Sequence, residues 1–157
     1  MKLRLICIGR LSSRYLQEGA ADYLGRINRY LPIEVIELKE EKGGSKNNPE
    51  TVREAEGERL LARVSDQDWL IALDEKGKLL DSVGLAGQIE RHMLDGTPAV
   101  TAVLGGAYGL SNAIRRRANL VLSLSPMTFT HQMARLIWLE QLYRSLTILR
   151  NEPYHNA

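Results

Sequence analysis

Residues 99–124 read AVTAVLGGAYGLSNAIRRRANLVLSL, and this stretch decides the fold class. Ala99–Leu104 is a largely apolar run rich in β-branched residues, the signature of a strand buried on both faces. It runs into Gly105-Gly106-Ala107-Tyr108-Gly109. Ser111 or Asn112 can then cap a short helix to about Ala118, and Leu120–Leu124 reads as the next strand. Strand, glycine loop, helix and strand in succession is the pattern of a parallel α/β sheet.

The pattern continues in both directions. Leu3–Ile8 is a short apolar strand ending at Gly9. Ser12 or Ser13 can cap a helix carrying Tyr15, Leu16, Ala20, Tyr23, Leu24 and Ile27, up to about Tyr30. Pro32 closes that helix, and Ile33–Leu38 is a second strand. The polar segment Lys39–Pro49 is expected to be a mobile surface loop. A helix follows over Glu50–Val64. Trp69–Leu73 is a third strand, ended by the turn-like Asp74-Glu75-Lys76-Gly77. Ser82 opens a helix that Asp95-Gly96 stops after Leu94. Beyond residue 124, a loop over Ser125–Thr130 leads into a long helix, His131–Leu149, and a tail, Arg150–Ala157. Five strands, each followed by a helix, predict a parallel sheet covered on both faces, in a single domain over residues 1–157.

Charge is unevenly spread. Residues 97–157 hold six arginines against two glutamates, net +4, while residues 1–96 are net −2. Arginine binds phosphate bidentately and stacks on bases, although a solvated basic face explains the charge alone. Cys7, the single cysteine, lies in an apolar run and reads as buried and structural. Arg10 arrives too early for a signal peptide, and no apolar run approaches the roughly 18–20 residues of a membrane span. A cytoplasmic protein with no membrane partner is expected.

The last helix is apolar on more than one face, with Met133, Leu136, Ile137, Trp138, Leu139, Leu142, Tyr143, Leu146, Ile148 and Leu149. All-round apolarity implies burial on two sides. One side can meet the protein's own sheet, and a twin helix across a two-fold axis would cover the other, which predicts a homodimer.

Ligands of open α/β sheets bind beyond the carboxyl ends of the strands. Three loops lie there: Leu73-Asp74, Gly105–Gly109 and Ser123–Phe129. The glycines follow the wrong strand for a dinucleotide fingerprint, and no phosphate-cradling G-x-x-x-x-G-K-[ST] occurs. No H-x-x-x-H, C-x-x-C or carboxylate cluster suggests a metal. Arg144, on a largely buried helix, needs an acidic partner, a phosphate or a base. The residues by themselves support a dimeric α/β domain with a glycine-lined ligand site and a basic rim.

The segments Val103–Leu110 (VLGGAYGL) and Leu122–Arg135 (LSLSPMTFTHQMAR), with the closing Pro153-Tyr154-His155, closely resemble one family. It is the large-subunit rRNA pseudouridine N3-methyltransferases, small single-domain enzymes of the SPOUT class. The resemblance spans essentially the whole chain, including Glu56-Gly57-Glu58 and Ala72-Leu73-Asp74. Thr130 departs from it, since members often carry proline before the histidine. It implies a SPOUT (α/β-knot) fold with a C-terminal trefoil knot and active sites at a homodimer interface. It further implies S-adenosyl-L-methionine held by Leu73, Gly105, Gly106 and Leu124, Ser125, Pro126, Met127, Thr128 and Phe129, with no metal. The implied substrate is 23S rRNA within the assembled ribosome, in the helix 69 stem-loop facing the decoding region. Arg144, Tyr154 and His155 are the implied catalytic residues: Arg144 for negative charge on the ring, His155 for the proton, Tyr154 against the base. His131 and Arg135 are expected to hold RNA or the partner's site. The same basic rim also suits a non-catalytic ribosome-binding factor. A SPOUT enzyme for transfer RNA usually carries a further RNA-binding domain, for which the chain has no room.

Overall fold

The computed structural model describes residues 1–42 and 48–156, so the centre of the expected loop, residues 43–47, lies outside the described residues. The strands are β1 (Lys2–Ile8), β2 (Ile33–Leu38), β3 (Trp69–Leu79), β4 (Ala99–Leu104) and β5 (Leu120–Ser123). The helices are α1 (Arg14–Ile27), α2 (Pro49–Leu61), α3 (Ser82–Leu94), α4 (Asn112–Arg117) and α5 (His131–Leu149). One sheet holds all five strands in the order β2-β1-β4-β3-β5. Every pairing is parallel, as expected.

Successive side chains of a strand point to opposite faces, and β1 divides the core accordingly. Leu3, Leu5 and Cys7 join the larger cluster with α1, α3 and α5. Ile6 and Ile8 join the smaller one with Leu60 of α2 and Ile114 of α4. Cys7 is fully buried, and burial pushes its thiol up to about 11, so it stays protonated and packs as a small apolar residue.

Side chains close the helix starts. Asn48 accepts from Thr51 N at 2.8 Å, Asp81 from Gly84 N at 2.7 Å, Ser111 from Ile114 N at 3.3 Å and Thr130 from Met133 N at 3.2 Å. Ser13 stands at the start of α1 without such a bond. Ser12 instead ties that turn to α5, its backbone N–H donating to Gln132 Oε1 at 2.8 Å.

One expectation is corrected. Asp74–Gly77 is not the turn that ends β3. The strand continues to Leu79, and its register on β5 shifts between Leu73 and Lys78. Gly77 is needed for close approach: a Cβ there would stand 2.7 Å from the backbone of Leu122. α5 lies between α1 and α3 over the sheet, with Ala134, Trp138, Leu139, Leu142 and Leu146 buried and Leu136, Tyr143 and Leu149 partly buried.

Candidate functional site

The Leu73–Lys76 stretch inside β3 meets the Gly105–Gly109 turn and the loop 124–130, at the carboxyl ends of β4 and β5, around a cleft of about 840 Å³. That volume suits a small-molecule or cofactor ligand. Of the nine positions expected to hold the cofactor, Leu73, Gly105, Gly106, Leu124, Ser125, Met127, Thr128 and Phe129 line the cleft. Pro126 belongs to the same loop but not to the lining. Sequence reasoning missed Ser12, Ser13 and Tyr15 at the start of α1, which form the opposite wall. Their only signal was a capping serine directly after a strand end.

Backbone shapes this cleft. Gly109 N donates to Gly106 O at 3.1 Å, and Gly109 holds φ at +82°. A Cβ on Gly105 would stand 2.5 Å from the carbonyl oxygen of Gly109, so only glycine fits without moving the turn. The 124–130 loop is fastened by its own hydroxyls. Ser123 donates to the Ser125 carbonyl at 2.9 Å, Ser125 Oγ accepts from Met127 N at 2.9 Å, and Thr128 donates to Glu75 at 3.2 Å. Asp74 is held by Arg115 at 2.6 Å. Behind Gly106, the buried Glu56 accepts from Glu41 N at 3.1 Å, while its other oxygen has no hydrogen-bond partner among the described residues. Burial raises the Glu56 pKa, with Arg59 opposing the shift.

Leucine walls and a glycine turn too tight for a Cβ at Gly105 suit a flat nucleoside with an amino-acid arm. The residues present therefore fit S-adenosylmethionine. His131 opens α5 at the mouth, and its Nε2 is buried without a hydrogen-bond partner among the described residues.

Arg144, Tyr154 and His155 come together, but elsewhere. Asn151 adopts φ +54° after α5, and Glu152 N donates to Thr147 O at 2.9 Å, so the tail folds back on the helix. Arg144 donates to Glu140 Oε1 at 2.5 Å, lies 4.8 Å from the centre of the Tyr154 ring, and sits 3.2 Å from His155 Nδ1. Tyr154 donates to Glu140 Oε1 at 3.0 Å and packs edge-on against Tyr143. Burial, followed by the bonds to Tyr23 and Glu140, raises the Tyr154 hydroxyl pKa well above its usual value. Glu140 is the acidic partner that Arg144 demanded, one helical turn earlier.

From His131 to Arg144 the helix climbs about 20 Å. The tail cluster is thus well removed from the cleft of its own protomer. Arg135, expected to face RNA, is 3% exposed, paired with Glu37 at 2.5 Å and donating to the Gly9 carbonyl at 2.8 Å. Within the protomer it ties α5 to the ends of β1 and β2.

Residues 1–155 match the family model described as a predicted SPOUT methyltransferase. The chain is 55% identical over 156 residues to the ribosomal RNA large subunit methyltransferase H of Syntrophotalea carbinolica, covering 99% of each chain. It is 49% identical to the protein of the same name from Trichlorobacter lovleyi, covering 99% of this chain and all of that one. Among solved structures, a probable methyltransferase from Bordetella pertussis superposes with a TM-score of 0.55 at 21% identity, covering 92% of this chain and 96% of that one. That likeness concerns the fold.

Proposed function

The chain belongs to the SPOUT methyltransferase family, and from that premise we propose that it methylates large-subunit ribosomal RNA with S-adenosyl-L-methionine as donor. The target is N3 of a pseudouridine in the helix 69 stem-loop of 23S rRNA, on the assembled ribosome in the cytoplasm. The observation that carries this reading is the glycine-shaped cleft at the ends of β4 and β5, beside the Leu73–Lys76 stretch of β3.

The donor supplies a methyl group already activated by its sulfonium. The chain's own residues must align the acceptor nitrogen and stabilise the ring as N3 loses its proton. Leu73 and Leu124 offer apolar walls for adenine, Gly105 and Gly106 let the backbone approach, and Ser125 with Met127, Thr128 and Phe129 closes the remaining side, Pro126 shaping their loop. Arg144 meets the negative charge of the ring, with Tyr154 and His155 against the same base. His131 opens α5 among the residues lining the cleft and stands toward the RNA. Arg135 has its partners inside the protomer and acts by anchoring α5.

Cleft and tail cluster lie at opposite ends of α5, so the complete site requires a second copy. A two-fold axis across α5 sets two such helices antiparallel and carries the tail of one protomer over the cleft of the other. Exposed apolar groups stand at the cleft end, with Tyr15 65% and Met127 76% exposed, and they suit such a contact. A trefoil knot, threaded where the 124–130 loop passes Glu75, belongs to the same reading.

Mass spectrometry of 23S rRNA tests the substrate. Cells without this protein are expected to lack one methyl group on a pseudouridine, and purified protein with donor should restore it on ribosomes. A ribosome-binding factor without catalysis would instead show no calorimetric binding of the donor.

A further inference from the structure

Within the tail cluster, one carboxylate oxygen organises three side chains. Glu140 Oε1 accepts from Arg144 Nη2 at 2.5 Å, from Arg144 Nε at 3.1 Å and from the Tyr154 hydroxyl at 3.0 Å. Its Oε2 accepts from Gln141 at 2.7 Å. Arg144 then reaches past this pair with Nη1, 3.2 Å from His155 Nδ1. A guanidinium carries donors only. His155 Nδ1 must therefore be the acceptor, which leaves the single proton of the neutral ring on Nε2. An imidazolium would set N–H against N–H at that contact.

We infer that Glu140 is a positioning residue that fixes Arg144, Tyr154 and, through Arg144, the Nε2–H tautomer of His155, so that His155 meets the target base as a hydrogen-bond donor. The inference rests on the function proposed above, in which this cluster addresses the base. Loss of the N3 proton spreads negative charge onto the two flanking carbonyl oxygens of the ring. A donor aimed at one of them, beside the Arg144 guanidinium, stabilises that charge where it develops. The proton itself leaves to solvent water, and this replaces proton uptake by His155. The geometry disfavours uptake because the one lone pair on the ring already faces Arg144.

Two measurements decide the matter. In full-length protein labelled with ¹⁵N, His155 is expected to show an unprotonated Nδ1 and a protonated Nε2 in the neutral ring. Glu140→Ala should release it to a mixture of tautomers. A proton on Nδ1 in the unaltered protein overturns the inference, and this arm needs neither donor nor RNA. The second measurement is turnover on ribosomes. His155→Gln places an amide N–H near Nε2 but takes up no proton, and kcat should stay within about tenfold of the parent protein. His155→Ala should lose roughly a hundredfold or more. Equal losses in the two variants would overturn the donor role.

Glu140→Gln keeps an acceptor oxygen and should recover most of the kcat that Glu140→Ala loses, with KM for the donor unchanged in both. Unaltered kcat in Glu140→Ala would overturn the positioning role. If the parent protein itself methylates no rRNA, the proposed function falls, while the tautomer result still decides the inference.

Discussion

The cleft and the tail cluster solve two different problems with different chemistry. The cleft is built from backbone: a turn that admits no Cβ at Gly105, the ends of two strands, and hydroxyls spent on fastening their own loop. The tail cluster is built from side chains, with Glu140, Arg144, Tyr154 and His155 joined through hydrogen bonds and ring contacts. A donor molecule with an activated methyl group needs shape and position. A neutral base that must lose a proton needs charge. In the proposed reaction, rigid backbone provides the first, and charged side chains the second.

The largest expected effect exploits that division. A variant disabled in the cleft, Gly105→Ala, and one lacking residues 154–157 should each be nearly inactive on ribosomes. Mixed after unfolding and refolding together, they should regain roughly a quarter of the parent activity. Half of the dimers would then be hybrids, each with one intact pairing of cleft and tail. No recovery would place cleft and tail in the same protomer and break the comparison. Next in size is the Gly105→Ala variant alone. Its Cβ meets the Gly109 carbonyl oxygen, so the turn must shift. Calorimetry should show donor affinity falling about ten- to a hundredfold, in line with the roughly 1–3 kcal/mol cost of overpacking. The tail deletion should leave donor affinity unchanged.

These two regions were not equally legible in the sequence. β4, α3 and α5 have the boundaries expected of them, because apolar runs there end at glycines, capping side chains or a change of period. The cleft followed from the rule that ligands sit beyond the carboxyl ends of parallel strands. Gly77 misled because a glycine needed for close approach to β5 has the same local composition as a turn. The tail cluster was harder. Glu140 and Arg144 stand at i, i+4, but the return of residues 154–155 depends on the left-handed backbone at Asn151, and an asparagine after a helix is only a weak signal. The surroundings of α5 were hidden too, since periodicity reports how many faces are covered and not whose residues cover them.

Glu56 sharpens the contrast from the cleft side. Burial raises its folded-state pKa, so the ionised form is disfavoured in the folded protein. The penalty is absent below the unfolded-state value of roughly 4.3 and grows as pH rises through the folded-state value, staying constant above it. Glu56→Gln should therefore raise thermal stability at neutral pH, with the gain fading as pH falls through the folded-state value and gone by about pH 4. A gain independent of pH would assign the effect to hydrogen bonding at Gly106 instead of charge.

Thr130 joins the two regions, since it lines the cleft and caps the helix whose far end carries Arg144. Its φ of −60° and ψ of 151° are those of extended backbone, and its hydroxyl accepts from Met133 N. Thr130→Ala removes that acceptor and should cost about 1 kcal/mol, seen as a fall of roughly 2–4 °C in Tm for a domain of this size. The backbone angles already suit proline, so Thr130→Pro should lose the same bond while stiffening the loop, and come out more stable than the alanine variant. Donor affinity should then follow the loop more closely than the cap, changing less in Thr130→Pro than in Thr130→Ala. Equal losses in the two variants would mean that the hydroxyl, and not the backbone path, fixes this wall of the cleft.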